Sequence, residues 1–375
     1  MKRLFLFILF IVALYFSKPL WEEPVSKVVD LSFLDPIDEK VETVINKEAL
    51  AHAIQYIGDV TDKAILYLKT RSFEETEPTP EVEKPVLNKP EHATLSIHNL
   101  ELGDPLEKVS AQLGEPKSQT KNEYGTDWLT YHEHYQNFVM LSLDADQRIN
   151  AIYTNDDLIS STNGIRYGSP KSKVREVYGE PLKEIRKGFN IYILQESEGY
   201  DVFKMGDVYT YVFYDLHQGE TVTAIQLIAA SLEQQKNGLY AVGDKTLRNG
   251  FEQQLFDLTN AARVRHGLNA LKWEPAVAGT ARKHSVDMAD HDYFSHENRH
   301  GKSPFDRMAD DGVHFRGAGE NLAYGQSSSI FAHEGLMNSK GHRENILLDG
   351  YSHLGTGVAF NEKSQPYFTE NFLLK

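Results

Sequence analysis

The order of apolar and polar residues divides the chain into an apolar N-terminus, a helical stretch and two regions of mixed pattern. Lys2 and Arg3 precede an unbroken apolar run at 4–16. A short basic stretch followed by about 7–15 apolar residues is typical of an export signal. No small-residue cleavage site follows, so residues 1–21 are predicted to be an uncleaved signal anchor, with a cleaved signal peptide and a buried core helix as alternatives. Because basic flanks stay in the cytoplasm, the remaining chain is expected outside it.

The next apolar positions recur at helical spacing and are followed by a proline-rich segment. Leu50, Ile54 and Ile57 fit one face of a helix, so residues 22–73 are predicted to form a helical stalk. Residues 74–94 hold several prolines among glutamates. This composition is typical of a semi-rigid, extended linker that holds the following domains away from a surface.

An internal repeat follows the linker. Gly-Asp-Pro at 103–105 and Gly-Glu-Pro at 114–116 are matched by Gly-Ser-Pro at 168–170 and Gly-Glu-Pro at 179–181, an offset of 65 residues. In each copy a short amphipathic stretch lies between the two glycines, where Gly and Pro end a helix. The clearest strand patterns after these helices are Phe138–Leu143 and Tyr209–Tyr214. Residues 95–232 are therefore predicted to form one domain of two α+β repeats.

Charge and composition exclude several classes of function. Acidic residues outnumber basic ones by 54 to 39, and the net charge is −15. Nucleic-acid binding needs a basic surface, so no nucleic-acid partner is expected. The chain has no cysteine, which excludes disulfides, cysteine-ligated zinc and thiol catalysis. Residues 233–250 are predicted to be a second linker, and the 125 residues after it hold 9 of the 15 histidines.

Residues 251–375 contain a series of short motifs in a fixed order. These are Leu271-Lys272-Trp273, His284-Ser285, Phe294-Ser295-His296, Gly319-Glu320-Asn321-Leu322, Gly341-His342-Arg343 and Asn345-Ile346-Leu347. The set resembles the CAP superfamily, which groups cysteine-rich secretory proteins, insect venom antigen 5 and plant pathogenesis-related proteins. Residues 95–232 resemble the CAP-associated N-terminal domain of Bacillus-type secreted proteins. The resemblance implies that the C-terminal domain is an α-β-α sandwich. Together with the duplicated α+β domain and the N-terminal apolar anchor predicted above, the fold class is α+β.

The resemblance also implies a cleft lined by two histidines and two acids. The positions that match are His296, Glu320 and His342. The fourth position has no clean counterpart, because Ser339 stands where the family has an acid. Glu334, one helical turn earlier, and Glu370, close to the C-terminus, are the two candidates to complete the ligand-binding set.

These residue types permit two kinds of chemistry. The imidazoles of His296 and His342 could hold a weakly bound Zn²⁺, with Glu320 as the catalytic base. Alternatively, the three side chains form a polar network that holds loops together. Residues 296–300 also spell His-Glu-x-x-His, but that zinc-protease motif needs a helix. The glycine and proline that follow predict a loop instead.

The predicted function is an exported binding module of a Gram-positive cell envelope, either anchored at its N-terminus in the membrane or secreted. Its ligand is expected to be a lipid, glycan or peptide in the His/Glu cleft. Two alternatives stay open. One is a metal-assisted hydrolase of envelope peptide or glycan, and the other is a structural protein that docks a partner through residues 95–232. Whether the protein is an enzyme is left undecided.

Overall fold

The computed structural model describes residues 79–194, 197–236 and 238–375. These residues belong to one compact unit, Thr70–Lys375. Within the described ranges, no helix is long and apolar enough to cross a membrane. The predicted anchor at 1–21 and the predicted stalk at 22–73 lie outside the described residues, and both stay predictions.

Strands dominate the first part of the described chain, and helices dominate the part after residue 245. The described helices, α1–α8, are Leu106–Leu113, Lys171–Tyr178, Ala230–Gln235, Lys245–Arg265, Pro275–His291, Pro304–Asp310, Ser329–Asn338 and Lys340–Ile346. The described strands, β1–β15, are Leu95–Ile97, Ser118–Lys121, Asp127–Glu133, Gln136–Leu143, Ile149–Thr154, Ile159–Ser161, Glu184–Lys187, Asn190–Ile193, Tyr200–Met205, Val208–Asp215, Thr221–Ala229, Lys272–Trp273, Gly317–Tyr324, His353–Phe360 and Pro366–Leu374.

The N-terminal domain is built on a seven-stranded antiparallel sheet, in the order β2-β3-β4-β5-β11-β10-β9. β2–β5 come from the first predicted repeat and β9–β11 from the second. The two halves begin with the same contact, since the Gly103 nitrogen donates to the Ile149 carbonyl and the Gly168 nitrogen to the Val222 carbonyl, both at 2.8 Å. α1 and α2 each follow a proline and end at a glycine with positive φ. These features agree with a repeat, although the duplication itself stays a prediction.

The seven-stranded sheet buries apolar side chains on both faces. Along β4, Val139 and Leu141 pack on the face covered by α1 and α2. Phe138 and Met140 alternate with them and pack on the opposite face. That second face is covered by α4 and α7, with Leu258 of α4 fully buried in the same apolar cluster. The N-terminal and C-terminal domains therefore share one hydrophobic core.

The C-terminal domain has a four-stranded sheet, in the order β12-β14-β15-β13, with helices on both faces. α5 lies directly against one face, because a Cβ atom at Gly357 would stand 2.0 Å from the backbone nitrogen of Arg282. α4 lies against the other face, where the Thr356 hydroxyl donates to the Glu252 carbonyl at 2.8 Å. This arrangement agrees with the expected α-β-α sandwich.

The predicted linker at 233–250 is corrected at both ends. α3 continues to Gln235, and α4 begins at Lys245. The side chain of Asp244 caps α4 by accepting a hydrogen bond from the Leu247 nitrogen at 2.7 Å. An N-terminal cap of this kind satisfies a backbone N–H that the helix leaves unpaired, and apolar spacing alone does not locate it.

The predicted linker at 74–94 is described from residue 79 onward and contains no helix or strand there. It is, however, attached to the N-terminal domain. The carboxylate of Glu101 accepts hydrogen bonds from the backbone nitrogens of Glu91 and Ala93, both at 2.7 Å. Charge-assisted bonds of this type fix an extended segment in place, so this part of the chain is not a free spacer.

The close contact between α5 and β14 leads to a stability prediction. Gly357→Ala is expected to lower the free energy of unfolding by about 3 kcal/mol, because the added methyl group forces helix and strand apart. Gly279→Ala is the matched control in α5, where nothing lies within 4 Å of the added methyl. It is expected to raise the free energy of unfolding by roughly 0.5–1 kcal/mol, since Ala favours helix more than Gly does. Urea unfolding measures both changes. Equal unfolding midpoints for the two variants would contradict the close packing of α5 against β14.

Candidate functional site

His296 and Glu320 meet in the C-terminal domain, as the resemblance implied. Nδ1 of His296, in the loop after α5, lies 2.9 Å from Oε1 of Glu320 on β13. The other carboxylate oxygen of Glu320 accepts a hydrogen bond at 2.5 Å from the guanidinium of Arg307, on α6. The side chain of Glu320 is 2% exposed, whereas that of His296 is 49% exposed. A buried ion pair thus holds an imidazole that solvent can reach.

Arg307 and His284 also fix the loop that carries His296. The guanidinium of Arg307 donates to the carbonyls of His296 at 2.6 Å and Lys302 at 3.1 Å. The buried ring of His284 contacts the Ser295 carbonyl through Nε2 at 2.9 Å. The segment 296–300 contains no helix. The prediction of a loop there is confirmed, and the zinc-protease interpretation of His-Glu-x-x-His is excluded.

His342 lies on α8, next to the same strand but with a different partner. Its Nδ1 lies 2.7 Å from the hydroxyl of Ser339. Ser339 is the residue that stands where the resemblance leads one to expect an acid. The carbonyl of His342 accepts a hydrogen bond from Asn321 at 3.1 Å, and Asn345 donates to the Glu320 carbonyl at 3.3 Å. Across the described part of the chain, no three His, Asp or Glu side chains are placed to hold one metal ion.

Glu370 does not join His296 and Glu320, which corrects the expectation that it completes the cleft. Glu370 on β15 lies directly opposite Asn321 on β13, so the two side chains share one face of the sheet. Glu320 precedes Asn321 on β13, and its side chain therefore lies on the other face. The carboxylate of Glu370 accepts hydrogen bonds from Thr259 at 2.6 Å and Asn321 at 3.1 Å. Burial raises the pKa of Glu370 to about 7.

Glu334 is likewise directed away from the cleft. It lies on α7, and its carboxylate accepts a hydrogen bond at 2.7 Å from the hydroxyl of Tyr153, on β5 of the N-terminal domain. Burial raises the pKa of Glu334 to about 7. The expectation that Glu334 substitutes for the missing acid is corrected, because this carboxylate belongs to the contact between the two domains.

The segment at 338–343 carries further contacts between the domains. The guanidinium of Arg343, next to His342, donates to the carboxylate of Asp215 at 2.9 Å. The side-chain amide of Asn338 donates to the Tyr214 carbonyl at 2.9 Å. The motif spacing gives no indication of these roles, because both partners lie more than 120 positions earlier in the sequence.

A cavity of about 820 Å³ lies between the two domains. Its walls include eight aromatic side chains: Tyr124, Tyr192, Tyr200, Tyr211, Phe213, Tyr240, Tyr324 and Phe331. Sequence reasoning missed this cavity, because its lining residues come from segments that are far apart along the chain. The available signal is the aromatic run at 209–214, which is apolar on both faces of its strand.

Comparison with known proteins establishes the class of both domains. The family model of the CAP-associated N-terminal domain matches residues 102–239, and that of the cysteine-rich secretory protein family, CAP, matches residues 256–372. The C-terminal domain therefore belongs to the cysteine-rich secretory protein family and follows a CAP-associated N-terminal domain. The family assignment made from the motifs is confirmed.

Three relatives place the chain more closely. It is 29% identical over 291 residues to the uncharacterized membrane protein YlbC of Bacillus subtilis, a match that covers 72% of this chain and 82% of that protein. It is 37% identical over 127 residues to the uncharacterized protein YkwD of the same organism, covering 34% of this chain and 48% of the relative. An extracellular protein containing an SCP domain from Bacillus anthracis, of known structure, matches 79% of this chain and 100% of its own with 27% identity and a TM-score of 0.64. A match over 79% of this chain includes both of its domains.

The raised pKa of Glu370 predicts a pH-dependent effect of one substitution. The folded state retains a proton on Glu370 between pH 4.5 and about 7 that the unfolded chain loses, so its contribution to the free energy of unfolding falls as the pH rises through this range. Glu370→Gln removes the titration. Relative to wild type, we expect the variant to gain about 2 kcal/mol of stability between pH 5 and pH 8.

Urea unfolding at the two pH values measures this change. Glu362→Gln, at an exposed acid in the turn between β14 and β15, is the control and should give the same difference from wild type at both pH values. A difference for Glu370→Gln that does not vary with pH would contradict the assigned protonation.

Proposed function

We propose that the protein is an extracytoplasmic binding protein whose CAP domain holds an envelope glycan at His296, without hydrolysing it. The observation that carries this proposal is the engagement of both carboxylate oxygens of Glu320, one by His296 and the other by Arg307. A general base must be able to take a proton from the reacting water. A buried carboxylate that already neutralises a guanidinium is better suited to orienting the imidazole.

The donor set also argues against a zinc hydrolase. Catalytic zinc sites use three protein ligands, and structural sites use four. Only two of the predicted ligands are imidazoles, those of His296 and His342, and among the described residues no third His, Asp or Glu side chain is placed with them to hold a metal ion. The guanidinium of Arg307 adds a positive charge beside the acid that a metal would need. The residues present therefore do not fit a catalytic zinc ion, and the proposal contains no step through one.

An aromatic surface beside His296 supports a glycan as the ligand. Phe294 is 49% exposed, and its ring centroid lies 5.9 Å from that of Tyr324. Tyr324 and Glu320 are four residues apart on β13, hence on the same face and about 13 Å apart. An exposed ring and a half-exposed imidazole thus lie along one face of the strand. A chain of sugar units can stack on the first and form hydrogen bonds with the second.

The relatives support a location outside the cytoplasm. The Bacillus anthracis relative is described as extracellular, and one Bacillus subtilis relative is described as a membrane protein. Together with the apolar run at 4–16, these descriptions favour an exported protein held at the membrane by residues 1–21. The alternative of partner docking through 95–232 is less favoured, because one apolar face of that domain is covered by α4 and α7.

Binding to cell-wall material tests the proposal. Residues 70–375 are expected to co-sediment with purified Gram-positive peptidoglycan. His296→Ala and Phe294→Ala are each expected to weaken this binding about tenfold, which corresponds to about 1.4 kcal/mol. His300→Ala, at an exposed histidine of the same loop, is the control and should bind as wild type does.

Two results would count against the proposal. One is a wild-type protein that stays in the supernatant at every peptidoglycan concentration. The other is release of soluble wall fragments that a metal chelator stops, which would favour the hydrolase alternative.

A further inference from the structure

The cavity between the domains has an aromatic wall centred on α7. The ring of Phe331 contacts those of Tyr200, Tyr211 and Phe213 on the seven-stranded sheet, with centroids 5.2, 5.6 and 5.3 Å away. All four rings line the cavity of about 820 Å³. This volume falls within the range of about 300–1,000 Å³ that small-molecule sites occupy.

The opening of the cavity is bordered by exposed apolar side chains. Ile193, at the end of β8, is 72% exposed, and Leu239 is 50% exposed. Both line the cavity. Two further residues of the β7–β8 hairpin, Phe189 and Ile191, are also exposed. Exposed apolar residues in the wall of a cavity are typical of an interaction site rather than of ordinary surface.

A lysine inside the cavity supplies a positive charge. The ammonium of Lys236 lies 5.2 Å from the centroid of the Tyr124 ring, and the residue lines the cavity. Burial lowers the pKa of Lys236, although the carboxylates of Glu233 and Glu123 act in the opposite direction. The carboxylate of Glu233 forms an ion pair with Lys187 at 2.5 Å and accepts a hydrogen bond from the Tyr124 hydroxyl at 2.9 Å. Burial raises the pKa of Glu123 and so favours its neutral form. Among the described residues, no ion pair within 4.0 Å is formed by Lys236.

We infer that this cavity is a binding site for a single-chain amphiphile with an anionic head group. The head group, a carboxylate or a phosphate, pairs with Lys236. The acyl chain lies along Phe331 and Tyr200 and leaves between Ile193 and Leu239. Lys236 is half-buried and forms no ion pair within 4.0 Å among the described residues, and an anionic ligand supplies that partner. Neither His296 nor Phe294 lines this cavity, although Tyr324 belongs both to its wall and to the aromatic surface proposed for the glycan. The inference does not depend on the proposed glycan binding.

Calorimetric titration of residues 70–375 tests the site, with dodecanoate, dodecyl phosphate and dodecanol below their aggregation concentrations. Saturable binding at one site per chain is expected for all three compounds. Lys236→Met is expected to weaken the binding of the two anions at least tenfold and the binding of dodecanol less than twofold. Ile193→Glu is expected to weaken all three, because it places a negative charge at the apolar opening. Its side chain is exposed, so the fold is preserved.

Two control variants show whether binding occurs in this cavity. Lys245→Met removes an exposed lysine outside the cavity, and His296→Ala removes the proposed glycan contact. Both should bind all three compounds as wild type does. The inference is overturned if wild type shows no saturable binding, if Lys236→Met binds the anions unchanged, or if binding occurs only to aggregates or vesicles. Preference for dodecanoate over dodecyl phosphate, or the reverse, identifies the head group.

Discussion

The shared apolar face between the two domains is the constraint on which the rest of the structure depends. The seven-stranded sheet presents Phe138, Met140 and Phe213 on the side away from α1 and α2, where they pack with α4 and α7 of the CAP domain and with Leu232 of α3. Burial of each such side chain stabilises by about 1.5–3 kcal/mol. Separating the domains would expose to water the part of this face that α4 and α7 cover, so the CAP domain completes the core of the N-terminal domain.

This arrangement explains why several polar residues of the CAP domain have unexpected partners. Apolar packing brings α7 and α8 close to the sheet, and any charge carried there must be paired or protonated. Arg343 is paired with Asp215 at 2.9 Å. The carboxylate of Glu334 accepts a hydrogen bond from the Tyr153 hydroxyl, and burial raises the pKa of Glu334 to about 7. These contacts pair the buried charges and hydrogen-bonding groups of an interface that apolar residues stabilise.

Features that depend on contacts between distant parts of the chain could not be predicted from the sequence, whereas several features that depend on local contacts could. The motifs carry a resemblance that identifies the CAP domain, and it is this resemblance that implies one cleft for His296 and Glu320. The positions of Glu334 and Glu370 could not be predicted, since one depends on a partner in another domain and the other on the register between β13 and β15. The pattern at Phe138–Leu143 predicts a strand, and the four consecutive apolar residues at 138–141 are also typical of a sheet buried on both faces.

α8 and the residue before it connect the domain interface to the strand that carries Glu320. Ser339 lines the cavity and also contacts the ring of His342 at 2.7 Å. Asn345, near the other end of α8, donates to the Glu320 carbonyl at 3.3 Å and to the Asn321 side chain at 3.1 Å. A seven-residue helix has little stability of its own, so these contacts at both ends determine its position. The contacts of Ser339 and Asn345 are therefore explained by the need to fix α8 between the two domains.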